Sequence, residues 1–456
     1  MKDTIILTRE YIEQIELLVA NKQADELKLR LAEMHPADIA EMCDDMSIED
    51  ARYIYHLLDG EDAADVLIEM DEDARNELLE EVPSETIARK FIDYMDTDDA
   101  VDIIRDMDEE KQEEVLSHIK DIEQAGDIVD LLQYDEDTAG GLMSTEMVVV
   151  NGNWSMPECL REMRQQAEEL DDIYYVYVVD DDERLCGLFP LTKMITSPSV
   201  SKVKHVMNTK VVSVDVDTPI DEVTMLIEKY NLVAIPVVDK INRLVGQITV
   251  DDIMDEVREQ TEHDQQLTAG LTQDVETSDS VFVQTKARLP WLVIGMLGGI
   301  GSSILLNCFT NTLGTHPEMA LFIPLLAGMG GNVGTQSSAI AVQGLANNSI
   351  NSQHIFRHIA KELVVAIVNA TILSLMVYMY NFFIYGALDI VTLAVPISLF
   401  IVVLFASSFG TMIPMVLERM DINPAVATGP FIQIINDLSG MTFYMIISMI
   451  LSKIML

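Results

Sequence analysis

The spacing of apolar residues changes character three times along the chain. From about His35 to residue 135, apolar positions recur in units of about 12 residues. The units read Pro36-Ala-Asp-Ile-Ala-Glu-Met, Glu49-Asp-Ala-Arg-Tyr-Ile-Tyr, Glu61-Asp-Ala-Ala-Asp-Val-Leu, Glu72-Asp-Ala-Arg-Asn-Glu-Leu, Ser84-Glu-Thr-Ile-Ala-Arg-Lys and Asp98-Asp-Ala-Val-Asp-Ile-Ile. Nearly all open on an acid or a proline, which suits a helix N-terminus. Each continues with Ala, Ile or Leu at helical spacing. Helices this short cannot bury a face alone, so residues 1–135 are expected to stack into an α-helical solenoid.

Next comes an internal repeat with strand-like alternation. Tyr177-Val-Val-Asp-Asp-Asp-Glu-Arg-Leu-Cys-Gly-Leu matches Pro236-Val-Val-Asp-Lys-Ile-Asn-Arg-Leu-Val-Gly-Gln, 59 residues later. Upstream, Leu142-Met-Ser-Thr-Glu-Met-Val-Val matches Val206-Met-Asn-Thr-Lys-Val-Val-Ser. Each copy reads strand, helix, strand, polar turn, strand, helix. The expectation is two α/β units, 136–199 and 200–262. A connecting helix follows over 263–285, with Ser278, Asp279 and Ser280 as a breaker before the next region.

From residue 286 to 456 the pattern becomes five long apolar stretches, near 287–309, 319–343, 360–386, 389–416 and 426–452. Each is long enough to cross the roughly 30 Å hydrocarbon core of a bilayer. Two carry polar residues. The second holds Gly328-Met-Gly-Gly-Asn-Val-Gly-Thr-Gln-Ser-Ser338, where small residues permit close packing and Asn332 and Gln336 share a face. The fifth holds Gln433, Asn436, Asp437 and Gly440 on one face. Pro430 lacks a backbone N–H and is expected to free carbonyls one turn back. An ionised Asp437 deep in a span costs several kcal/mol unless compensated, and a passing cation compensates an anion.

Charge separates the same regions. The chain has 76 acidic and 29 basic residues, a net −47. The last 171 residues hold six of each sign, so the whole excess lies before residue 286. So acidic a surface excludes nucleic acid and attracts cations, divalent ones most strongly. With the acidic part cytoplasmic, Lys286, Arg288, Arg357, Lys361 and Arg419 fall inside and only Lys453 outside, as the positive-inside rule requires. Five spans then put the C-terminus outside. Met1 to Glu10 is charged and does not read as a signal peptide. Cys43, Cys159, Cys186 and Cys308 are scattered, which argues against a zinc site or a disulfide framework. His354 and His358 are four apart but read as a solvated pair beside the membrane. No nucleophile–base set, P-loop or hydrolytic metal motif is present, so no enzyme is expected.

The internal repeat resembles a tandem pair of CBS domains, many of which bind adenine nucleotides through a Gly-x-x-Ser/Thr-x-x-Asp turn. The second copy keeps it as Gly246-Gln-Ile-Thr249-Val-Asp-Asp252, whereas the first has Pro190 and Lys193 at the matching places. Thr249 and Asp252 are therefore the candidate site for ATP or another adenine nucleotide. The full combination, with GlyGlyAsn-x-Gly-x-Gln and Asn423-Pro-Ala-Val-Ala-Thr-Gly-Pro430, resembles the MgtE family of magnesium channels. The expected fold class is multi-domain: α-helical solenoid, α/β tandem CBS pair, connecting helix and five-helix transmembrane domain.

The resemblance implies a homodimer in an inner or plasma membrane, with one pore lined by the second and fifth spans. It implies a Mg²⁺ site at Asp437 with Asn436, Gln433 and Gly429, and polar lining from Asn332, Gln336 and Asn423. The family's Asp-Pro-Ala begins here with Asn423, and Asp421 is the candidate replacement for the missing acid. It further implies closure by cytosolic Mg²⁺, with Asp98, Asp102, Asp252, Asp255 and Asp264 as regulatory ligands. Asn231 stands where the family has an acid at one such site. Mg²⁺ suits the chemistry, since it keeps several waters and binds through one or two carboxylates. Two alternatives stay open: a transporter of Co²⁺ or another divalent ion on this scaffold, and a nucleotide-sensing CBS membrane regulator without transport.

Overall fold

The computed structural model describes the chain apart from residues 1–6, 45, 59, 81, 169, 171–172, 274, 276–279, 347–354, 388, 421, 428 and 456. It forms two compact units, Met1–Val257 and Arg258–Leu456.

The first unit opens with ten short α-helices among the described residues, from Arg9–Ala20 to Ile122–Leu131. Side-chain caps start several of them: Thr8, Ser47, Asp108 and Asp121 each accept a hydrogen bond from a first-turn N–H. One of the ten, α1 (Thr97–Arg105), buries Ala100, Val101, Ile103 and Ile104. The repeat's apolar stripes merge into one core that continues into the second α/β copy through Val214, Val223, Ile248 and Ile253.

Both copies build the same three-stranded sheet. In the first, β1 (Val148–Asn151) runs parallel to β2 (Val176–Val179), which runs antiparallel to β3 (Leu185–Phe189). In the second, β4 (Val214–Asp215), β5 (Ala234–Val238) and β6 (Leu244–Thr249) repeat this order. The matched pairs Val178↔Gly187 and Val237↔Gly246 sit beside the same register shift in each sheet. The first copy has its own core around Val148, Cys159, Val176 and Phe189.

The connecting helix starts before the expected residue 263. It is α2 (Val250–Ala269), rising directly from β6, and the boundary between the units falls within it. At its start Thr249 donates through N at 2.9 Å and Oγ1 at 2.6 Å to Asp252 Oδ2. Gly270 ends it at φ +85°, a left-handed conformation that L side chains rarely adopt.

The second unit contains α3 (Val281–Cys308), α4 (Ile323–Ala346), α5 (Ile355–Tyr385), α6 (Ile390–Glu418) and α7 (Gly429–Met455). Among the described residues α3, α5, α6 and α7 are long and apolar enough to cross a membrane. The α4 helix has 24 residues, about 36 Å at 1.5 Å per residue, but its glycines and polar residues keep it below that apolarity. Helix α6 is the centre, with Val391, Val395, Leu399, Val403 and Ala406 buried. Helices α4, α5 and α7 pack around it, and α3 leans on α7.

Pro430 does not act as expected. Helix α7 begins at Gly429, so Pro430 lies in the first turn, where no N–H is needed, and it frees no carbonyl within a helix.

Candidate functional site

Asp437 lies eight residues beyond Gly429, well inside α7, and is half-buried. Its Oδ1 is shielded from solvent and has no hydrogen-bond partner among the described residues. The neighbouring Asn436 is 1% exposed, and neither of its amide atoms has a partner. Glycines of α4 make this approach possible. A Cβ on Gly331 would stand 3.2 Å from Asp437 Oδ1, and one on Gly334 would overlap Asn436 Nδ2. Gly334 also presents its backbone oxygen to Gly410 of α6. The glycine run in α4 is therefore the surface against which α7 lays its polar residues.

Gln433 is exposed one turn before Asp437, and its Cγ would be 3.2 Å from a Cβ on Gly331. Asn332 and Gln336 are also exposed, on the side of α4 turned from its buried residues Gly330, Gly334, Ser337 and Ser338. Asp437, Gln433 and Pro430 line a cavity of about 580 Å³. Arg288, Trp291 and Gly295 of α3 line another side, and Ala269, Gly270 and Leu271 close the rest. Sequence reasoning passed over Arg288 and Trp291, because nothing in their spacing links them to α7.

The end of α2 is packed against the start of α7. Asn423 Nδ2 donates to Asp264 Oδ1 at 2.8 Å, and Asn423 Oδ1 accepts from Ala425 N at 2.9 Å. Gly429 faces Thr268 O, and Gly270 faces Pro430. Asn423 thus lies before α7, in the turn leading to it, and engages the connecting helix. Asp421 and His354 lie outside the described residues. His358 is not the solvated residue expected: its Nε2 is shielded, with no partner among the described residues.

In the first unit, Asp98 and Asp252 come together with a residue that sequence reasoning missed, Asp99. Burial pushes the Asp98 carboxyl well above the usual range, and the charges of Asp99, Asp252 and Glu146 push the same way. Asp99 is pushed up to about 7 by burial and by Asp96 and Asp252. Burial also raises Asp252, against the hydrogen bonds from Thr249. Asp102 is half-exposed and pairs with Arg105 at 3.6 Å, and Asp255 is exposed. No three His, Cys, Asp or Glu side chains among the described residues are grouped closely enough to hold a bare metal ion. Glu146 anchors the region: its Oε2 accepts from Thr97 Oγ1 at 2.7 Å, from Thr97 N at 3.2 Å and from Ser144 Oγ at 2.8 Å.

An acid inside a helical membrane unit, joined to a CBS pair and an acidic solenoid, defines a class of membrane cation transporters. Residues 323–447 match the family described as divalent cation transporter, residues 34–137 the MgtE intracellular N domain, and residues 139–197 and 203–259 the CBS domain. The chain belongs to the MgtE family of magnesium transporters, as its sequence implied. It is 34% identical over 323 residues to the magnesium transporter MgtE of Thermus thermophilus, covering 70% of this chain and 71% of the relative. It is 31% identical to that of Bacillus subtilis, over 69% of each chain. A crystal structure of the cytosolic domain of the Mg²⁺ channel MgtE in complex with ATP is similar, with 32% identity and a TM-score of 0.51, over 54% of this chain and 99% of that one. The soluble part of a magnesium transporter gives 29% identity and a TM-score of 0.50, over 55% and 98%.

Proposed function

We propose that two copies of this chain form a Mg²⁺ channel with Asp437 as its central ion site, closed by cytosolic Mg²⁺ acting on the acidic unit. The observation that carries this reading is the unpartnered Oδ1 of Asp437 beside the cavity. A buried carboxylate with no donor is destabilised until a cation arrives. Pairing about a two-fold axis would supply two such carboxylates, the number that suits a hydrated Mg²⁺. The exposed amides of Asn332, Gln336 and Gln433 supply oxygen acceptors for its water shell, with Gly429 at the inner end.

Regulation follows from repulsion among Asp98, Asp99 and Asp252. Two carboxylates 4 Å apart repel by about 4 kcal/mol at an effective dielectric of 20. Mg²⁺ bound through its waters relieves that repulsion without three ligands converging. Asp102 and Asp255 extend the acidic surface of the first unit, and in the second unit Asp264 accepts from Asn423. The acidic unit is taken as cytoplasmic, the C-terminus as outside.

The test is Mg²⁺ uptake into proteoliposomes. Asp437→Ala should abolish uptake, and Co²⁺ should compete poorly with Mg²⁺ in the wild type. Unchanged uptake in the variant overturns the ion site, and equal competition favours a general divalent transporter. A second ligand has its own support: the Thr249–Asp252 turn and the relative solved with ATP. Adenine nucleotide should bind the purified protein, and Asp252→Ala should remove the calorimetric signal.

A further inference from the structure

Asp437 is not the only acid inside the membrane unit. Glu362 lies in the third turn of α5, and its Oε1 accepts two hydroxyls from two other helices. Ser337 Oγ of α4 donates to it at 2.8 Å, and Ser407 Oγ of α6 at 3.0 Å. The hydroxyls themselves are 3.1 Å apart. One carboxylate oxygen thus joins three helices, and Ser337 and Ser407 are 4% and 2% exposed.

The place matters because of what holds α4. Along this seam Gly334 meets Gly410 backbone to backbone, and Gly330 and Gly331 meet α7. Such a surface allows close approach but offers few side-chain knobs to stop rotation about the helix axis. A hydroxyl bonded to a fixed carboxylate does stop it. Successive residues turn by about 100°. Ser337 pointing into the seam therefore sets Gln336 about 100° away and Asn332 about 140° away, on the exposed side.

We propose that Glu362 is a positioning residue for conduction: by accepting Ser337 and Ser407 it fixes the rotation of α4, and so presents Asn332 and Gln336 to the ion path. This rests on the transport reading above. The acceptor oxygen is what matters, so Glu362→Gln, which keeps one carbonyl oxygen, should stay within about twofold of wild-type Mg²⁺ flux, while Glu362→Ala should lose about tenfold.

The experiment pairs flux in proteoliposomes with the rate at which a water-soluble thiol reagent labels Gln336→Cys, read at that peptide by mass spectrometry. Glu362→Ala should change the labelling rate about fivefold or more, and the double variant Ser337→Ala, Ser407→Ala should reproduce the change. A Glu362→Ala protein with wild-type flux and labelling overturns the proposal. So does a serine double variant with wild-type labelling, which also decides the matter if Glu362→Ala fails to fold. Glu362→Gln behaving as Glu362→Ala overturns it in favour of charge. If the wild type carries no Mg²⁺ flux, the transport reading fails, and the labelling comparison still judges the tie.

Discussion

Asp437 is a carboxylate without a partner and Asp99 a crowded one, and only the first was visible in the sequence. An acid in an apolar stretch stands out because its neighbours make it expensive. Asp99 is one of many acids on short helices, and only folding reveals which of them face Asp252. Its crowding has a pH signature. The folded-state pKa of Asp99 is about 7 against an ordinary 3.8, so proton binding favours the packed form. That stability is present in full below about 4, declines as pH rises towards 7 and is absent above. Without Mg²⁺, the melting temperature of the protein should therefore fall by several degrees between pH 5 and pH 8. Saturating Mg²⁺ should flatten the slope, because the ion takes over the proton's role. A melting temperature that rises over the same interval would contradict the crowding of Asp98, Asp99 and Asp252.

Among the elements, the repeats were the most legible. Twelve-residue units and the 59-residue repeat each translated into helices and sheets, because periodicity reports which face is buried. The polar helix α4 was legible as a span by length but not by contact. Its glycines meet α6 and α7, partners far along the chain, and spacing alone carries no such information. Gly334→Val should therefore be severe. Its side chain would meet Asn436 and Ile432, so the variant should melt lower in detergent by about 1–3 kcal/mol equivalent and lose flux. The turn before α7 carries a contact that spacing could not reveal for a related reason: the amide of Asn423 donates to Asp264 of α2, a partner 159 residues earlier. Asn423→Ala should weaken this clasp by about 1–2 kcal/mol and raise Mg²⁺ flux under high cytosolic Mg²⁺. Flux that stays fully suppressed would show that the clasp does not help closure.

For the whole molecule, the acidic and apolar regions obey different solvents. The first unit is held by two apolar cores and opposed by its own charge, so its compactness should depend on divalent ions. Limited proteolysis of the full-length protein should slow as Mg²⁺ rises through the millimolar range, with Na⁺ at equal ionic strength having little effect. A digestion pattern indifferent to Mg²⁺ would remove the basis for regulation by cytosolic ions. The membrane unit meets the reverse difficulty, and it falls chiefly on α4. During synthesis this helix leaves the ribosome before α6 and α7, the two helices that shelter its glycines and Ser337. Too polar to settle in lipid by itself, it must be retained at the insertion machinery until those later segments arrive. The order of the chain thus makes biogenesis of the protein a matter of waiting, and truncations ending before α6 should leave α4 unintegrated.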